Sequence, residues 1–538
     1  MQTYLEQELS DLKESEKKLR KENEIKQKRI KILEHNVEAL TQALLQAAKQ
    51  RFGASSEKTP YGDGQLYLFE GEKELPLEEE AETHTVKAHA RLKRKSGDKA
   101  RLIADIPREV VECVLNAEEV CDVCSSPLQV IGKKSVRTEL EYIPARIKVI
   151  EYIQHIFKCS TCGTTDDYPD AVFKKAPVPA PVMSRSLASA TSVAWVMYQK
   201  YAMAVPLYRQ EKEWLRMGID LTRSTMSNWV IQCAASWLKP MCERMREKLI
   251  TYDIVMSDET TIQCNKEEGR KASSKSYFWL HRNGQFENTP VILFQYTRTR
   301  AGENARKFLE GFSGYHISDA YAGYKKVENI TRCLCWSHLR RYYKEAIPLT
   351  SSKKEIPGSA GAKGRAYCNK LFALEKQWKE LPHKERKQKR LEQSIPVLNA
   401  FFAWAETMST NQEPLKKAIK YTMNHREYFT SFLLDGRIPI SNNMSEVSMK
   451  AVAVARKNFL FSDTPQGAEA SALVFSIIET AKANGLDPYE YLVHIFRNLP
   501  NLDFHNKPEL LESHMPWVDT LPELCYAKKT RKEAEEGK

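Results

Sequence analysis

The sequence has no long hydrophobic run. Its most apolar stretches, such as residues 472–478, fall far short of the ~20 residues a membrane helix needs, and its first residues are charged where a secretory signal would be apolar. A membrane protein is thereby excluded as a reading, and the cytoplasm is the expected compartment. Cysteine is scarce, at 12 in 538 residues, and four of the 12 form two CxxC pairs. That usage suits metal binding in a reducing compartment better than a disulfide framework. Acidic residues are outnumbered, 70 against 82 Lys and Arg, and the net charge of +12 favours a polyanionic partner. A chain this long also exceeds a single core, so roughly three or four folded units are expected.

The first 50 residues carry a heptad seam of Leu5, Leu9, Leu12, Leu19, Ile30, Leu33, Val37, Leu40 and Leu44, interrupted by Glu16, Asn23 and Lys26. This predicts a coiled coil over 1–50, with Asn23 at an a position favouring two parallel strands. A single amphipathic helix packed on its own protein is the alternative. Residues 62–83 then hold Asp63, Glu70, Glu72, Glu74, Glu78, Glu79, Glu80 and Glu82 against Lys73. Residues 87–101 hold Lys87, Arg91, Lys93, Arg94, Lys95, Lys99 and Arg101 against Asp98. Opposed blocks of this kind read as a flexible charged linker over 51–105.

Within 106–175, Cys121-Asp122-Val123-Cys124 and Cys159-Ser160-Thr161-Cys162 are CxxC knuckles 34 residues apart, joined by a stretch, 139–157, that alternates as strands do. Four thiolates close a tetrahedral zinc site and leave no open position, so this predicts a structural zinc ribbon. Residues 176–245 read as a helical helix-turn-helix-like domain. One helix runs over 206–217, a turn over 218–221, and a second helix opens at Thr222 with Met226, Trp229, Val230 and Cys233 on its apolar face. Arg223, Ser227, Asn228 and Gln232 on the other face have the chemistry to reach DNA base edges; a plain helical hairpin is the alternative.

Three consecutive strands are predicted over 251–264, 276–282 and 290–297, then a helix over 306–312, a strand over 315–319, and a strand entering a helix over 337–346. That order suits a ribonuclease H-like sheet, with a catalytic core split into 246–347 and 431–485. Asp258 and Asp319 sit near strand ends, and Glu446 lies near the start of a helix behind two asparagines. Because side chains alternate along a strand, Asp258 and Glu259 face opposite sides, and Asp258 is the expected ligand. Two magnesium ions held by three such acids stabilise the attacking and leaving oxygens of a phosphodiester together. Cys333, Cys335 and His338 suggest a second metal site but lack a further ligand in the sequence, so a strand end entering a helix is the plainer reading. Arg340 and Arg341 on that helix are candidate phosphate contacts.

The motifs, in order, resemble the large transposase protein of the insertion sequence 66 family, a bacterial group that uses an Asp-Asp-Glu mechanism. The matching stretches are Phe52-Gly53-Ala54-Ser55-Ser56-Glu57-Lys58, Ile106-Pro107-Arg108-Glu109, both knuckles, Lys200-Tyr201, and Pro206-Leu207-Tyr208-Arg209-Gln210. They continue through Ser257-Asp258-Glu259-Thr260, Asp319-Ala320-Tyr321-Ala322-Gly323-Tyr324, Cys335-Trp336-Ser337-His338, Asn442-Asn443 with Glu446, and Arg456-Lys457-Asn458-Phe459-Leu460-Phe461. The chain departs from that pattern at Thr261, where the family usually has Pro, and at Val447, where it favours Arg. The resemblance implies that Asp258, Asp319 and Glu446 are the catalytic triad and that Cys121, Cys124, Cys159 and Cys162 hold zinc. It also implies cleavage and strand transfer at the element's terminal inverted repeats, beside small accessory proteins of the same element.

Between Asp319 and Glu446 lie 126 residues, so 348–430 is read as a basic helical insertion, and 486–538 as a C-terminal region. Lys450, Arg456 and Lys457 are expected to touch the DNA backbone, and Asn442 and Asn443 to cap and orient Glu446. The whole is a multidomain α/β protein whose expected partner is double-stranded DNA and whose coiled coil pairs protomers. A catalytically inactive DNA-binding copy, or a ribonuclease H-like structure-specific nuclease, is the alternative function.

Overall fold

The computed structural model describes residues 147–158, 173–351 and 354–528, together with part of the stretch between Glu16 and Thr41. The chain divides into two compact units, residues 60–147 and the remainder. The first lies outside the described residues apart from Ile147, as do the rest of the charged linker and the knuckle cysteines Cys121, Cys124, Cys159 and Cys162. The described residues between Glu16 and Thr41 are helical, and Leu19, Ile30, Leu33 and Val37 of the heptad seam are exposed in the single chain. Beside the second knuckle, β1 (Ile156–Lys158) pairs antiparallel with β2 (Phe173–Lys175).

Four helices follow: α1 (Ala190–Met197), α2 (Leu207–Arg216), α3 (Arg223–Cys233) and α4 (Lys239–Leu249). The predicted helix-turn-helix pattern is reproduced closely. Pro206 precedes α2, Gly218 takes a left-handed φ of 87° in the turn, and Thr222 caps α3 by accepting the Thr225 N–H at 3.2 Å. Met226, Trp229, Val230 and Cys233 are buried while Arg223, Asn228 and Gln232 are exposed, as a 3.6-residue period requires.

The central sheet has the order β5-β4-β3-β6-β7, built from β3 (Ile254–Gln263), β4 (Lys275–Asn283), β5 (Ile292–Thr297), β6 (Gly314–Ser318) and β7 (Ile330–Leu334). The β3–β4 and β4–β5 pairs are antiparallel, whereas β3–β6 and β6–β7 are parallel. Helix α5 (Gly302–Phe308) lies between β5 and β6, four residues earlier than the sequence predicts. The reason is Gly311, whose φ of 90° is left-handed and cannot continue a helix to Phe312.

Two hydrophobic clusters pack on this sheet. One gathers Val255, Phe278, Leu280 and Phe294 with residues of α1, α3 and α4, together with α13 (Pro465–Ala483) and α14 (Pro488–Asn498). The other gathers Ile254, Met256, Ile317 and Leu334 with α6 (Trp336–Glu345) and the inserted helices. The insertion consists of α7 (Ala360–Gln377), α8 (His383–Lys389), α9 (Ile395–Thr407), α10 (Glu413–Asn424) and α11 (Arg426–Thr430), with a π turn joining α8 to α9. The basic run 384–390 is not all solvated: Arg386 and Arg390 are buried. Helix α12 (Asn443–Asn458) returns the chain to the sheet.

Candidate catalytic site

Alternation along β3 sets the site. Ile254 and Met256 belong to one core and Val255 to the other, so Asp258 lies on the face of Ile254 and Met256, and Ser257 and Glu259 lie on the opposite face. The parallel register pairs Ile254 with Tyr315 and Met256 with Ile317. Asp258 and Asp319 each lie two residues beyond the last pair of that register.

Glu259 is engaged on its own side. It accepts from Arg300 Nε at 2.8 Å and from a second guanidinium nitrogen, and Tyr324 donates its hydroxyl at 2.7 Å. Arg300 stacks over the Tyr321 ring at 4.0 Å and comes within 3.7 Å of Asp319 Oδ2, so one cation bridges Glu259 and Asp319. Asp319 Oδ1 accepts the Tyr321 N–H at 2.9 Å, which fixes the turn leaving β6.

Glu446 reaches β3 from α12, and three ties hold that helix. Asn442 donates its side-chain amide to the Ser257 carbonyl at 2.8 Å. Arg282 of β4 donates to Ser448 Oγ at 2.9 Å and to the Met444 carbonyl at 3.3 Å. Arg456 donates to the Thr261 carbonyl at 2.6 Å. Asn442 stands at the helix cap position but makes no side-chain capping bond: its Nδ2 is committed to β3, and its Oδ1, the atom that would accept from the first turn, has no hydrogen-bond partner. The expectation of a capping asparagine is corrected accordingly. Arg282→Met leaves every candidate ligand in place but frees the first turns of α12, and strand cleavage is expected to fall ~10- to 100-fold, the usual cost of removing a group that orients a ligand.

The acids sense one another. Burial first, then the carboxylates of Glu259, Glu446 and Asp319, push Asp258 up to about 7. The carboxylate oxygens of Asp258, Asp319 and Glu446 do not meet as closely as a single ligand set. Among the described residues, the three groups of metal-ligating type whose atoms lie within 4.8 Å of one another are Cys335, His338 and Glu446. Glu446 Oε1 and His338 Nδ1 are shut off from water and lack hydrogen-bond partners, as do Asn442 Oδ1 and Ser445 Oγ. Unmet buried acceptors of this kind fit a cation.

Of the other candidates, Arg223, Asn228, Lys450 and Lys457 are exposed. Arg340 donates to Asn369 at 2.6 Å, Arg341 lies 3.9 Å from Glu446 Oε2, and Arg456 is half-buried against β3. Sequence reasoning missed Arg300, Arg282 and the buried network around Ser257, whose hydroxyl meets His281 Nδ1 at 2.8 Å and His316 Nε2 at 2.9 Å. No motif announces them, since each is defined only by what lies across the sheet.

Burial, with help from Arg332, drives His316 down to about 3, and burial also drives His281 well below its ordinary value. Both rings are neutral in the fold, whereas the unfolded chain takes up protons below ~6.5. Their contribution to stability is therefore complete above pH ~6.5 and is lost as pH falls from there towards 3, by up to ~1.4 kcal/mol per pH unit per histidine. Urea unfolding at pH 7, 6 and 5 is expected to show this slope, and His316→Asn to reduce it.

Comparison with known proteins decides the family. The profile of the transposase IS66 family matches residues 185–470, which include the helical region, the sheet, the insertion and α12. The chain belongs to the IS66 transposase family. Three further profiles match the same transposase: its zinc-finger binding domain over 118–163, which encloses all four knuckle cysteines; its C-terminal element over 476–517; and the transposase C of IS166 homeodomain over 39–111. Among its relatives is the uncharacterized protein y4jD of Sinorhizobium fredii, 28% identical over 78% of this chain and 82% of that protein. Another is y4hP of the same organism, 27% identical over 77% of this chain and 75% of that protein. The chain is thus a DNA transposase of an insertion sequence, with DNA as its partner. No helix among the described residues is long and apolar enough to cross a membrane.

Proposed function

We propose that this IS66-family transposase binds the terminal inverted repeats of its own element, cleaves them to expose 3′-hydroxyl ends, and transfers those ends to target DNA through Asp258, Asp319 and Glu446. The observation that carries the reading is that Glu446, separated from Asp319 by 126 residues of sequence, is tied back to β3 beside Asp258 through the Asn442 bond to the Ser257 carbonyl. The strand order, with three antiparallel strands followed by two parallel ones, supports a ribonuclease H-like core. Asp258 and Asp319 would hold one magnesium ion, and Asp258 and Glu446 a second. When bound, magnesium supplies charge stabilisation for the attacking and leaving oxygens of the phosphodiester.

The protein's own groups do the rest. Arg300 and Tyr324 keep Glu259 turned from Asp258, and Arg300 also restrains Asp319. Lys450 and Lys457, exposed on α12, lie on the same helix as Glu446 and suit backbone phosphates. Arg223 and Asn228 on α3 would read base edges, and Arg340, Arg341 and Arg456 would add charge near the scissile strand. Cys121, Cys124, Cys159 and Cys162 would ligate structural zinc. The heptad seam would join two protomers so that both ends are cut together, in the bacterial cytoplasm at the nucleoid, with accessory proteins of the same element.

The test is an assay on duplexes carrying the element's flanking ends, with and without magnesium. Nicking at the end boundary that needs both magnesium and the end sequence supports the reading. Binding without nicking points to an inactive DNA-binding copy, and nicking of junctions lacking the ends points to a structure-specific nuclease.

A further inference from the structure

Two strong donors beside Glu446 have no part in the cleavage chemistry above. Cys335 stands at the N-cap of α6 and His338 lies in the first turn of that helix. Cys335 Sγ, a ring nitrogen of His338 and a carboxylate oxygen of Glu446 lie within 4.8 Å of one another, although 110 residues of sequence lie between Cys335 and Glu446. In sequence this pair lacked a further ligand; the fold brings Glu446 to it. Cys333, two residues earlier, is not part of the set, since its thiol points to the Thr331 carbonyl at 3.7 Å.

The surroundings suit an ion. The Asn442 N–H donates to Cys335 Sγ at 3.1 Å, and the backbone N–H groups of Ser337 and His338 also turn towards the sulfur. Burial outweighs these donors and pushes the Cys335 thiol up to about 11, so an ion binding here displaces its proton. His338 Nδ1 and Glu446 Oε1 stand 3.8 Å apart, both closed to water and both without a hydrogen-bond partner. Two buried polar atoms left in this way cost stability unless something between them is shared. Arg341 Nη2, 3.9 Å from Glu446 Oε2, offsets part of the negative charge of a thiolate and carboxylate together.

We infer that Cys335, His338 and Glu446 form a binding site for a borderline divalent cation of the zinc type, with three protein ligands and one open position. Sulfur and nitrogen ligands select such ions over magnesium, which prefers oxygen. A zinc-type ion held here occupies the Glu446 carboxylate, and so opposes magnesium-dependent cleavage. That consequence rests on the function proposed above, whereas the binding does not.

The experiment uses the full chain with its CxxC cysteines already loaded with zinc, titrated with Co2+ as a spectroscopic probe. Wild type is expected to bind one equivalent with sulfur-to-cobalt charge-transfer absorption, a signature that the all-oxygen ligands Asp258 and Asp319 cannot give. Cys335→Ser is expected to lose that absorption, and His338→Ala to bind at least ~10-fold more weakly, no less than the loss on removing an outer partner of a ligand. Asp258→Asn, outside the set, retains it. Unchanged far-UV circular dichroism and zinc content show that the variants are folded. A cobalt spectrum and stoichiometry in Cys335→Ser equal to wild type, or no uptake beyond the CxxC module, overturns the inference. Neither outcome depends on strand cleavage, so the site can fail while the transposase reading stands, and the reverse.

Discussion

Asp258→Asn is expected to lower magnesium-dependent strand cleavage by ~10³-fold, the upper end of what removing one preorganised electrostatic group costs. The substitution keeps the oxygen that accepts the Glu259 N–H at 2.9 Å, so the backbone of β3 is unchanged. Only the charge is lost. That charge is held unfavourably in the free protein, where burial and three neighbouring carboxylates push Asp258 up to about 7. The sign of the stability effect follows: a raised carboxyl pKa means the fold binds the proton better than the unfolded chain does, so stability falls as pH rises from ~4 towards 7. The asparagine variant escapes that fall. Its Tm at neutral pH is expected to equal or exceed that of wild type while its cleavage rate collapses. Glu446→Gln should match the loss of cleavage. Glu259→Gln should cost less, because Glu259 lies on the other face of β3 against Arg300 and Tyr324. A thermal melt beside the nicking assay separates loss of chemistry from loss of fold.

Arg390→Met is expected to destabilise the protein by ~3–5 kcal/mol, the cost of removing one partner from a buried ion pair. Arg390 is 1% exposed. It forms a two-pronged pair with Glu375, with both bonds at 2.7 Å, and its remaining donors meet the carbonyls of Phe432, Asp435 and Ile438 at 2.6, 2.7 and 2.9 Å. One guanidinium thus fastens α7, the π turn before α9, and the segment that leads back to α12. Methionine fills the volume but leaves a buried carboxylate and three carbonyls unmet. Because that segment delivers Glu446, the loss should appear in urea unfolding and also as weaker cleavage at temperatures where the variant is still folded. Arg390→Lys is expected to recover little, since a point charge cannot serve five acceptors spread in a plane.

These two residues show what the sequence could and could not reveal. The strands β3, β4 and β5 were legible because β-branched and aromatic residues cluster between turn residues, and α2 and α3 because Gly218 and Thr222 mark a turn and a cap. Asp258 could be separated from Glu259 by alternation alone. Arg390 was not legible: within the run 384–390 it looks like one more solvated cation, and only the carbonyls gathered from residues 432–438 distinguish it. Asn442 read as a cap because asparagine before a helix usually is one, yet its amide goes to Ser257 across the sheet. His338 lacked a partner in sequence because Glu446 arrives from beyond the insertion. Local propensity is written locally, whereas a site assembled from distant segments depends on the register and packing of the whole sheet.

The most direct measurement is the anomalous scattering of Mn2+ in crystals of the protein bound to a duplex carrying an element end. Mn2+ bound to Asp258 together with Asp319 or Glu446, at the scissile phosphate and absent in crystals of Asp258→Asn, is the predicted result. Manganese peaks that avoid Asp258, or that persist unchanged in Asp258→Asn, would contradict the assignment of these three acids as the catalytic set.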